Sequence, residues 1–264
     1  MRKLMLTTSI LFITLILAFG QNFSDNDNDP EIGVVEHLGD YFPEGVQLIT
    51  ENLDTVDLLS LVDKPTIINF VYYRCPGICS PLMGGIAEVA DKSDLVLGED
   101  YQILTISFDP SETIDLGTRK KASYFSLMNK KDQAEKGWLF FTSDSASIAK
   151  GTNATGFKYK KTGNDFLHAA SVVILAPDGK IVRYLNGIYF LPFEWKMALI
   201  EAARGQIGPS INKVLQFCYS YDPVGQTYML NITRVFGVMM IFLAVIFLII
   251  LIVKSKKKKQ PLNT

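Results

Sequence analysis

The sequence lacks an excess of charge of either sign. Its 264 residues contain 26 lysines and arginines against 27 aspartates and glutamates, which leaves a formal net charge of -1. Proteins that recognise nucleic acids normally present a basic surface to the phosphates. We therefore expect no nucleic acid among the partners of this chain.

Donors for soft metal ions are also scarce, with three cysteines and two histidines in the whole chain. Two of the cysteines, Cys75 and Cys79, form the pentapeptide CPGIC directly after an apolar, β-branched run at residues 65–73. Two thiols four residues apart at the end of a strand can close as a disulfide or bind a metal ion. This pentapeptide is therefore the candidate functional site.

Long uncharged apolar runs occur near both ends of the chain. Arg2 and Lys3 precede such a run at residues 4–19, a pattern typical of a cleaved signal peptide, with an uncleaved anchor as the alternative. The second run, at residues 235–253, is apolar all round and is followed by a lysine cluster. It predicts a transmembrane helix whose basic flank keeps the C-terminus in the cytoplasm.

The sequence thus predicts a single-pass protein of the inner (cytoplasmic) membrane, which contacts lipid through its C-terminal helix. The folded domain lies on the periplasmic or extracytoplasmic side, where disulfides can persist. The predicted segments are a signal peptide at residues 1–20, a disordered leader at 21–30, the folded domain at 31–208, a juxtamembrane segment at 209–234, the transmembrane helix at 235–253 and a cytoplasmic basic tail at 254–264.

Hydrophobic periodicity within the folded domain predicts strands that alternate with helices and end in a hairpin. This order favours an α/β three-layer sandwich of the thioredoxin-like type, with a mixed sheet, an antiparallel hairpin and helices on both faces. The predicted strands cover residues 66–73, 101–108, 138–142, 171–176 and 181–185, and the predicted helices cover residues 80–93, 114–129, 146–152 and 192–204.

The position of the cysteine pair predicts its chemistry. Pro76 and Gly77 force a turn and Pro81 fits only the first turn of a helix, so both sulfurs should lie near a helix N-terminus. The helix dipole there lowers a thiol pKa from about 8.5 and favours the thiolate, which attacks disulfides and binds metals. A purely structural disulfide is the alternative, although so short a loop would stabilise the fold little.

His168 is the candidate third donor, because it directly precedes the predicted strand at residues 171–176. A lone histidine is more often a surface or hydrogen-bonded residue, and we interpret the other one, His37, as solvated. Two thiolates and an imidazole suit Cu(I), or a thiolate-rich Cu(II) site, and zinc would fit the same donors. Structural zinc normally takes four protein ligands, so three donors favour a site that exchanges its metal.

The sequence around the cysteines, FVYYRCPGICSPLM at residues 70–83, closely resembles the signature of the Sco/SenC family of thioredoxin-fold, copper-binding proteins. Shorter stretches of the chain are similar to other family segments in the same order. They are GVVEHLG at residues 33–39, ISFDP at 106–110, DFLHAAS at 165–171 and APDGK at 176–180. Many family members, however, are anchored by an N-terminal helix, whereas this chain is predicted to be anchored at its C-terminus.

This resemblance implies that Cys75, Cys79 and His168 are copper ligands. It also implies that the copper passes to the binuclear copper centre of the second subunit of cytochrome c oxidase. The other implied role is that of a thiol-disulfide oxidoreductase for that subunit, in which Cys75 or Cys79 attacks a disulfide and a thiol-disulfide reductant restores the thiols. Asp109 is expected either to orient the metal-binding loop or to form a turn or a helix cap.

Two further residues leave alternatives open. Cys218, between the domain and the predicted membrane helix, could be a fourth ligand, pair with another chain, serve in copper transfer or be inert. A peroxidase would need a basic group beside one thiolate, and Arg74 is the nearby candidate. The main hypothesis remains a non-enzymatic copper chaperone, with the oxidoreductase as its alternative.

Overall fold

The structure is a computed structural model that describes residues 32–163 and 165–208, together with the backbone of residues 219–222 and 227–230 and scattered helical positions between 237 and 247. The predicted signal peptide, leader, basic tail and Cys218 lie outside the described residues, as does most of the predicted membrane helix. Among the residues that are described, no helix is both long and apolar enough to cross a membrane.

The elements of the described chain alternate as the hydrophobic pattern indicates. The strands are β1 (Gly33–Val34), β2 (Gln47–Ile49), β3 (Thr55–Asp57), β4 (Thr66–Val71), β5 (Gln102–Ser107), β6 (Trp138–Ser143), β7 (Phe157–Thr162), β8 (Asp165–His168), β9 (Ser171–Leu175), β10 (Ile181–Asn186), β11 (Tyr219–Asp222) and β12 (Thr227–Leu230). The helices are α1 (Cys79–Lys92), α2 (Ile114–Phe125), α3 (Lys131–Gly137), α4 (Ser145–Ala154) and α5 (Pro192–Ala203), with a 3-10 helix at Leu58–Leu61.

Seven strands form one mixed sheet in the order β10-β9-β4-β5-β6-β2-β3. The central strands β4, β5 and β6 are parallel to one another. Parallel strands covered on both faces need nearly continuous burial, and every residue of β4 and β5 is buried. The hairpin β9–β10 extends the sheet antiparallel to β4, so the predicted mixed sheet with an antiparallel hairpin is confirmed.

Successive side chains of β4 meet helices on opposite faces of this sheet. The amide of Asn69 donates to Sδ of Met83 on α1 at 2.9 Å. A Cβ added to Gly151 of α4 would lie 3.5 Å from the ring of Phe70, the next residue along the strand. Because neighbouring side chains of a strand point to opposite faces, α1 and α4 lie on opposite sides of the sheet. The domain is therefore the three-layer, thioredoxin-like α/β sandwich that the sequence predicts.

The helix predicted at residues 114–129 is shorter than expected, because α2 ends at Phe125 and a second helix, α3, follows. The backbone N–H groups of Asn129 and Lys130 both donate to the carboxylate of Asp91, at 3.0 and 2.8 Å. These bonds hold the intervening turn against the end of α1. A carboxylate so distant in sequence could not be recognised from helical periodicity alone.

No strand is predicted between the helix at residues 146–152 and the strand at 171–176, but β7 and β8 form an antiparallel hairpin there, which pairs with β1 in a second sheet. Gly163 makes the turn between these strands with a φ of 64°, a left-handed conformation that glycine adopts readily. Because β7 contains three lysines, it has no apolar pattern from which a strand could be predicted. His168 ends β8 and pairs directly with Tyr159.

Candidate metal centre

The candidate site forms where β4 ends and α1 begins. The backbone N–H of Cys75 donates to the carbonyl of Tyr72 at 3.2 Å, which closes a tight turn after the strand. Cys79 is the first residue of α1, and its preceding cap residue, Ile78, makes no side-chain cap hydrogen bond. Both thiols therefore lie at a helix N-terminus, where the free N–H groups favour negative charge.

The fold brings His168 to this pair from a position 89 residues beyond Cys79 in the chain. Nε2 of His168 lies 3.1 Å from Sγ of Cys79, and the two sulfurs and a ring nitrogen all lie within 4.8 Å of one another. The three residues are 7%, 4% and 2% exposed, and both cysteines are free thiols. The structure thus assembles the predicted donor set in a nearly closed site.

The imidazole of His168 is oriented by its surroundings. Nδ1 lies 2.9 Å from the carbonyl oxygen of Ala169, and because a carbonyl can only accept, Nδ1 is the protonated nitrogen. In the neutral ring, Nε2 then presents its lone pair towards Cys79. The rings of Tyr72 and Phe108 pack edge-on against the imidazole, with centroids at 5.9 and 5.2 Å. This is the arrangement in which a histidine binds a metal through one nitrogen while the other is fixed by a hydrogen bond.

The two thiols have opposite proton affinities. Hydrogen bonding from the Cys79 thiol, together with backbone N–H groups, lowers the pKa of Cys75 to about 3 in spite of its burial. One of these N–H groups, on Gly77, lies 3.4 Å from Sγ of Cys75. Burial, followed by the neighbouring Cys75 thiolate, raises the pKa of Cys79 well above its usual range. At neutral pH the pair therefore holds one proton, on Cys79.

This asymmetry predicts the pH dependence of alkylation. Because the lowered pKa keeps Cys75 deprotonated, its rate of reaction with iodoacetamide in the reduced, metal-free chain should stay constant from neutral pH down to about pH 5. Mass spectrometry of the labelled peptide would follow the reaction. In Cys79→Ala the thiol donor is lost, and the rate should begin to fall at a higher pH. A wild-type rate that falls about tenfold per pH unit below about pH 8, as for an ordinary thiol, would contradict the assignment.

A buried carboxylate that sequence reasoning missed, Glu112, holds the chain just before Cys75. Its side chain is fully buried and accepts hydrogen bonds from the backbone N–H groups of Tyr73 and Arg74 at 2.6 and 2.7 Å. The hydroxyl of Ser107 donates to it at 2.7 Å. The sequence gave no signal for Glu112, because a glutamate two residues after a proline at the end of a strand usually lies in an exposed turn.

Asp109 does not contact the metal-binding loop in any hydrogen bond of the described residues. Its carboxylate accepts from the backbone N–H and hydroxyl of Ser111 at 2.9 and 2.7 Å, so it makes the turn that was one of its two predicted roles. The contact with the loop is made by Glu112 instead. The difference arises because the turn after β5 points Glu112, rather than Asp109, towards β4.

The other predicted residues lie apart from the donor set or beside it. Arg74 is exposed and its Nε lies 3.6 Å from Oε1 of Glu112. The interpretation of His37 as solvated is wrong, because Nδ1 of this half-buried residue lies 2.9 Å from the carbonyl oxygen of Ala154. Its backbone N–H donates to the hydroxyl of Tyr184 at 3.1 Å. His37 therefore secures the start of the domain.

The geometry of the donor set fits a small soft cation. A metal bound about 2.0 to 2.3 Å from nitrogen and sulfur ligands brings any two of them within about 4.6 Å of each other. Three donors spaced evenly around such a metal lie about 3.5 to 4.0 Å apart, so donors that already lie within 4.8 Å of one another need to approach by about 1 Å at most. Ligation requires a thiolate, which the lowered pKa of Cys75 supplies, and a ring nitrogen that faces the sulfurs, which is the position of Nε2 of His168.

Comparison with known proteins identifies the same family that the motifs suggest. The sequence model of the SCO1/SenC family matches residues 42–190, which is more than half of the chain. The SCO1 protein homolog of Bacillus subtilis (strain 168) is 24% identical over 202 residues, which are 75% of this chain and 95% of that protein.

Solved structures share the fold. A protein from Aquifex aeolicus VF5 is 29% identical and superposes with a TM-score of 0.57, over 64% of this chain and 95% of that one. BsSco, in which a disulfide switch has been identified and which is described as a member of the Sco family of cytochrome c oxidase assembly proteins, is 20% identical. Its TM-score is 0.51, over 64% of this chain and 98% of that one.

Proposed function

Because the chain belongs to the SCO1/SenC family, which is linked to copper binding and to the assembly of cytochrome c oxidase, we propose that it is a copper chaperone. In this proposal Cys75, Cys79 and His168 bind one copper ion and surrender it to the copper-bearing subunit of the oxidase. The observation that carries the proposal is the convergence of these three donors within 4.8 Å of one another.

The types of donor favour copper as the cargo. Thiolate sulfur is a soft ligand that selects Cu(I), and imidazole suits both copper and zinc. Three protein donors also suit Cu(I), whereas a structural zinc site would normally have a fourth. A site with three donors can accept an incoming ligand before it releases its own, which is what transfer by ligand exchange requires.

A thiol-disulfide oxidoreductase is the second candidate function, and the asymmetry of the two thiols favours it. The Cys75 thiolate would attack a substrate disulfide, form a mixed disulfide and expel one substrate thiolate. Cys79, after giving up its proton, would then attack Cys75 and expel the second substrate thiolate. A thiol-disulfide reductant would have to return the resulting disulfide to two thiols.

The proposed setting is the extracytoplasmic face of the inner membrane. It rests on the apolar runs at residues 4–19 and 235–253 and on the lysines that follow the second run, since basic residues beside a membrane span stay in the cytoplasm. Lipid would contact the chain through residues 235–253. Protease treatment of intact spheroplasts should digest the domain but leave the C-terminal tail protected.

Anaerobic titration with Cu(I) tests the chaperone proposal directly. The purified full chain in detergent should bind one copper per molecule, measured by metal analysis after removal of weakly bound ions. Cys75→Ser should bind none tightly, because a hydroxyl is a hard and weak donor for Cu(I). Cys218→Ser is the matched control, since it removes a thiol outside the proposed set, and should retain one copper. Tight stoichiometric copper in Cys75→Ser would refute the assignment.

A further inference from the structure

A small cavity of about 10 Å³ lies against the two sulfurs on the side of helix α2. Its wall includes Cys75, Cys79 at the start of α1, and Lys120 and Tyr124 of α2. A space of this size holds about one water-sized group. It is therefore large enough for the end of an incoming side chain, such as a sulfur or a carboxylate oxygen, but not for a whole small molecule.

Helix α2 is built to present Lys120 at this cavity. Gly117, Lys120 and Tyr124 are three and four residues apart, a spacing that places them on one face of a helix. A Cβ on Gly117 would come within 3.0 Å of the ring of Tyr73, so glycine lets α2 approach the cysteine loop closely. Tyr73 is itself fixed, because its hydroxyl donates to the carbonyl of Phe141 at 2.7 Å.

The ammonium group of Lys120 forms no ion pair within the described part of the domain. No carboxylate there lies within 4.0 Å of its ammonium group, although the next residue, Lys121, contacts Glu51 and Glu135 at 3.2 and 3.3 Å. The two ion pairs of Lys121 therefore hold α2 against neighbouring parts of the domain. Lys120, which is only partly exposed to solvent, instead contributes its cationic side chain to the wall of the cavity that Cys75 and Cys79 also line.

We propose that this cavity is the entry site for an anionic sulfur ligand, and that Lys120 recognises its negative charge. The incoming group is a thiol flanked by a carboxylate on the partner protein, and it approaches Cys75 through the cavity. The inference rests on the proposed function, because the proposed function defines the partner as a protein that brings a sulfur atom to this site. It holds for copper transfer and for disulfide exchange alike, since both begin with a sulfur atom from the partner reaching this site.

Two small disulfides of different charge can test the proposal without metal. Dithiobis(nitrobenzoate) carries two carboxylates, and dithiodipyridine is uncharged near neutral pH. With either probe, the Cys75 thiolate attacks a probe sulfur and releases one probe thiolate, and Cys79 then loses its proton and displaces the second. The protein ends with a Cys75–Cys79 disulfide, and two equivalents of probe thiol are released and followed by absorbance. The full chain carries the substitution Cys218→Ser, so that Cys75 and Cys79 are the only thiols that can react with the probes.

The ratio of the two rates isolates recognition of the incoming charge, because any change in the reactivity of Cys75 affects both probes. Two opposite charges a few ångströms apart near a protein surface can change a rate several-fold. Lys120→Gln should therefore lower the ratio of anionic to neutral rates about three- to tenfold, and Lys120→Glu should lower it further. Lys121→Gln is the matched control and should leave the ratio unchanged.

The proposal is overturned if Lys120→Gln keeps the wild-type ratio, or if Lys121→Gln lowers the ratio equally, since a general surface field would then account for the effect. The copper stoichiometry of the same variants separates this inference from the proposed function. One copper bound by Lys120→Gln, together with an unchanged rate ratio, would refute the entry site and leave the chaperone proposal standing.

Discussion

Replacing His168 with alanine should abolish tight copper binding while leaving disulfide exchange by Cys75 and Cys79 largely intact. The imidazole contributes the only nitrogen within 4.8 Å of both sulfurs among the described metal-ligating groups. Loss of a group that merely orients a ligand costs about 10- to 100-fold in metal affinity, so loss of the ligand itself should cost at least about 100-fold. Competition with a chromophoric Cu(I) chelator would measure the affinity.

The second histidine of the chain supplies the control for this experiment. His37 lies in the folded domain but bonds to the carbonyl of Ala154 rather than to the thiols. His37→Ala should keep the wild-type copper affinity, even if it weakens the fold. An unchanged affinity in His168→Ala would count against the chaperone. If disulfide exchange falls by as much as copper affinity does, the imidazole instead supports the reactivity of the two thiols.

The sequence predicted the layers of the domain because its central strands have a strong local pattern. The run at residues 66–71 is apolar throughout, apart from Thr66 and Asn69, and is buried throughout. β7, in contrast, contains three lysines and has exposed residues at its end. Its pairing with β8 depends on the turn at Gly163 and on contacts with β1, which are distant in sequence. Hydrophobic periodicity reports local burial and cannot report such pairings.

The site was predictable to the extent that its residue types are rare. Cysteine and histidine are few enough in this chain that Cys75, Cys79 and His168 could be selected without knowledge of their positions in space. Glu112 could not be selected in this way, because it is one of 27 acidic residues. Its importance follows from burial and from hydrogen bonds to backbone groups 38 and 39 residues away, which only the folded chain reveals.

Replacing Glu112 with alanine should destabilise the domain and also weaken copper binding. Alanine would leave the N–H groups of Tyr73 and Arg74 and the hydroxyl of Ser107 without the acceptor they now share. Each unsatisfied buried donor costs about 1 to 3 kcal/mol, and water entering the space would recover part of that. We expect a loss of about 3 kcal/mol in the free energy of unfolding, measured by urea denaturation of the metal-free chain.

The effect on copper follows from the position of the freed backbone. Tyr73 and Arg74 directly precede Cys75, so a loop released from Glu112 no longer fixes Sγ of Cys75 relative to Cys79 and His168. Glu112→Gln keeps one acceptor oxygen but turns an amide NH₂ towards donors, so it should lie between wild type and alanine in both measurements. Asp109→Asn is the control, because it alters a carboxylate that bonds only within its own turn. If Glu112→Ala unfolds at the wild-type urea concentration and retains wild-type copper affinity, the buried carboxylate does not position the loop.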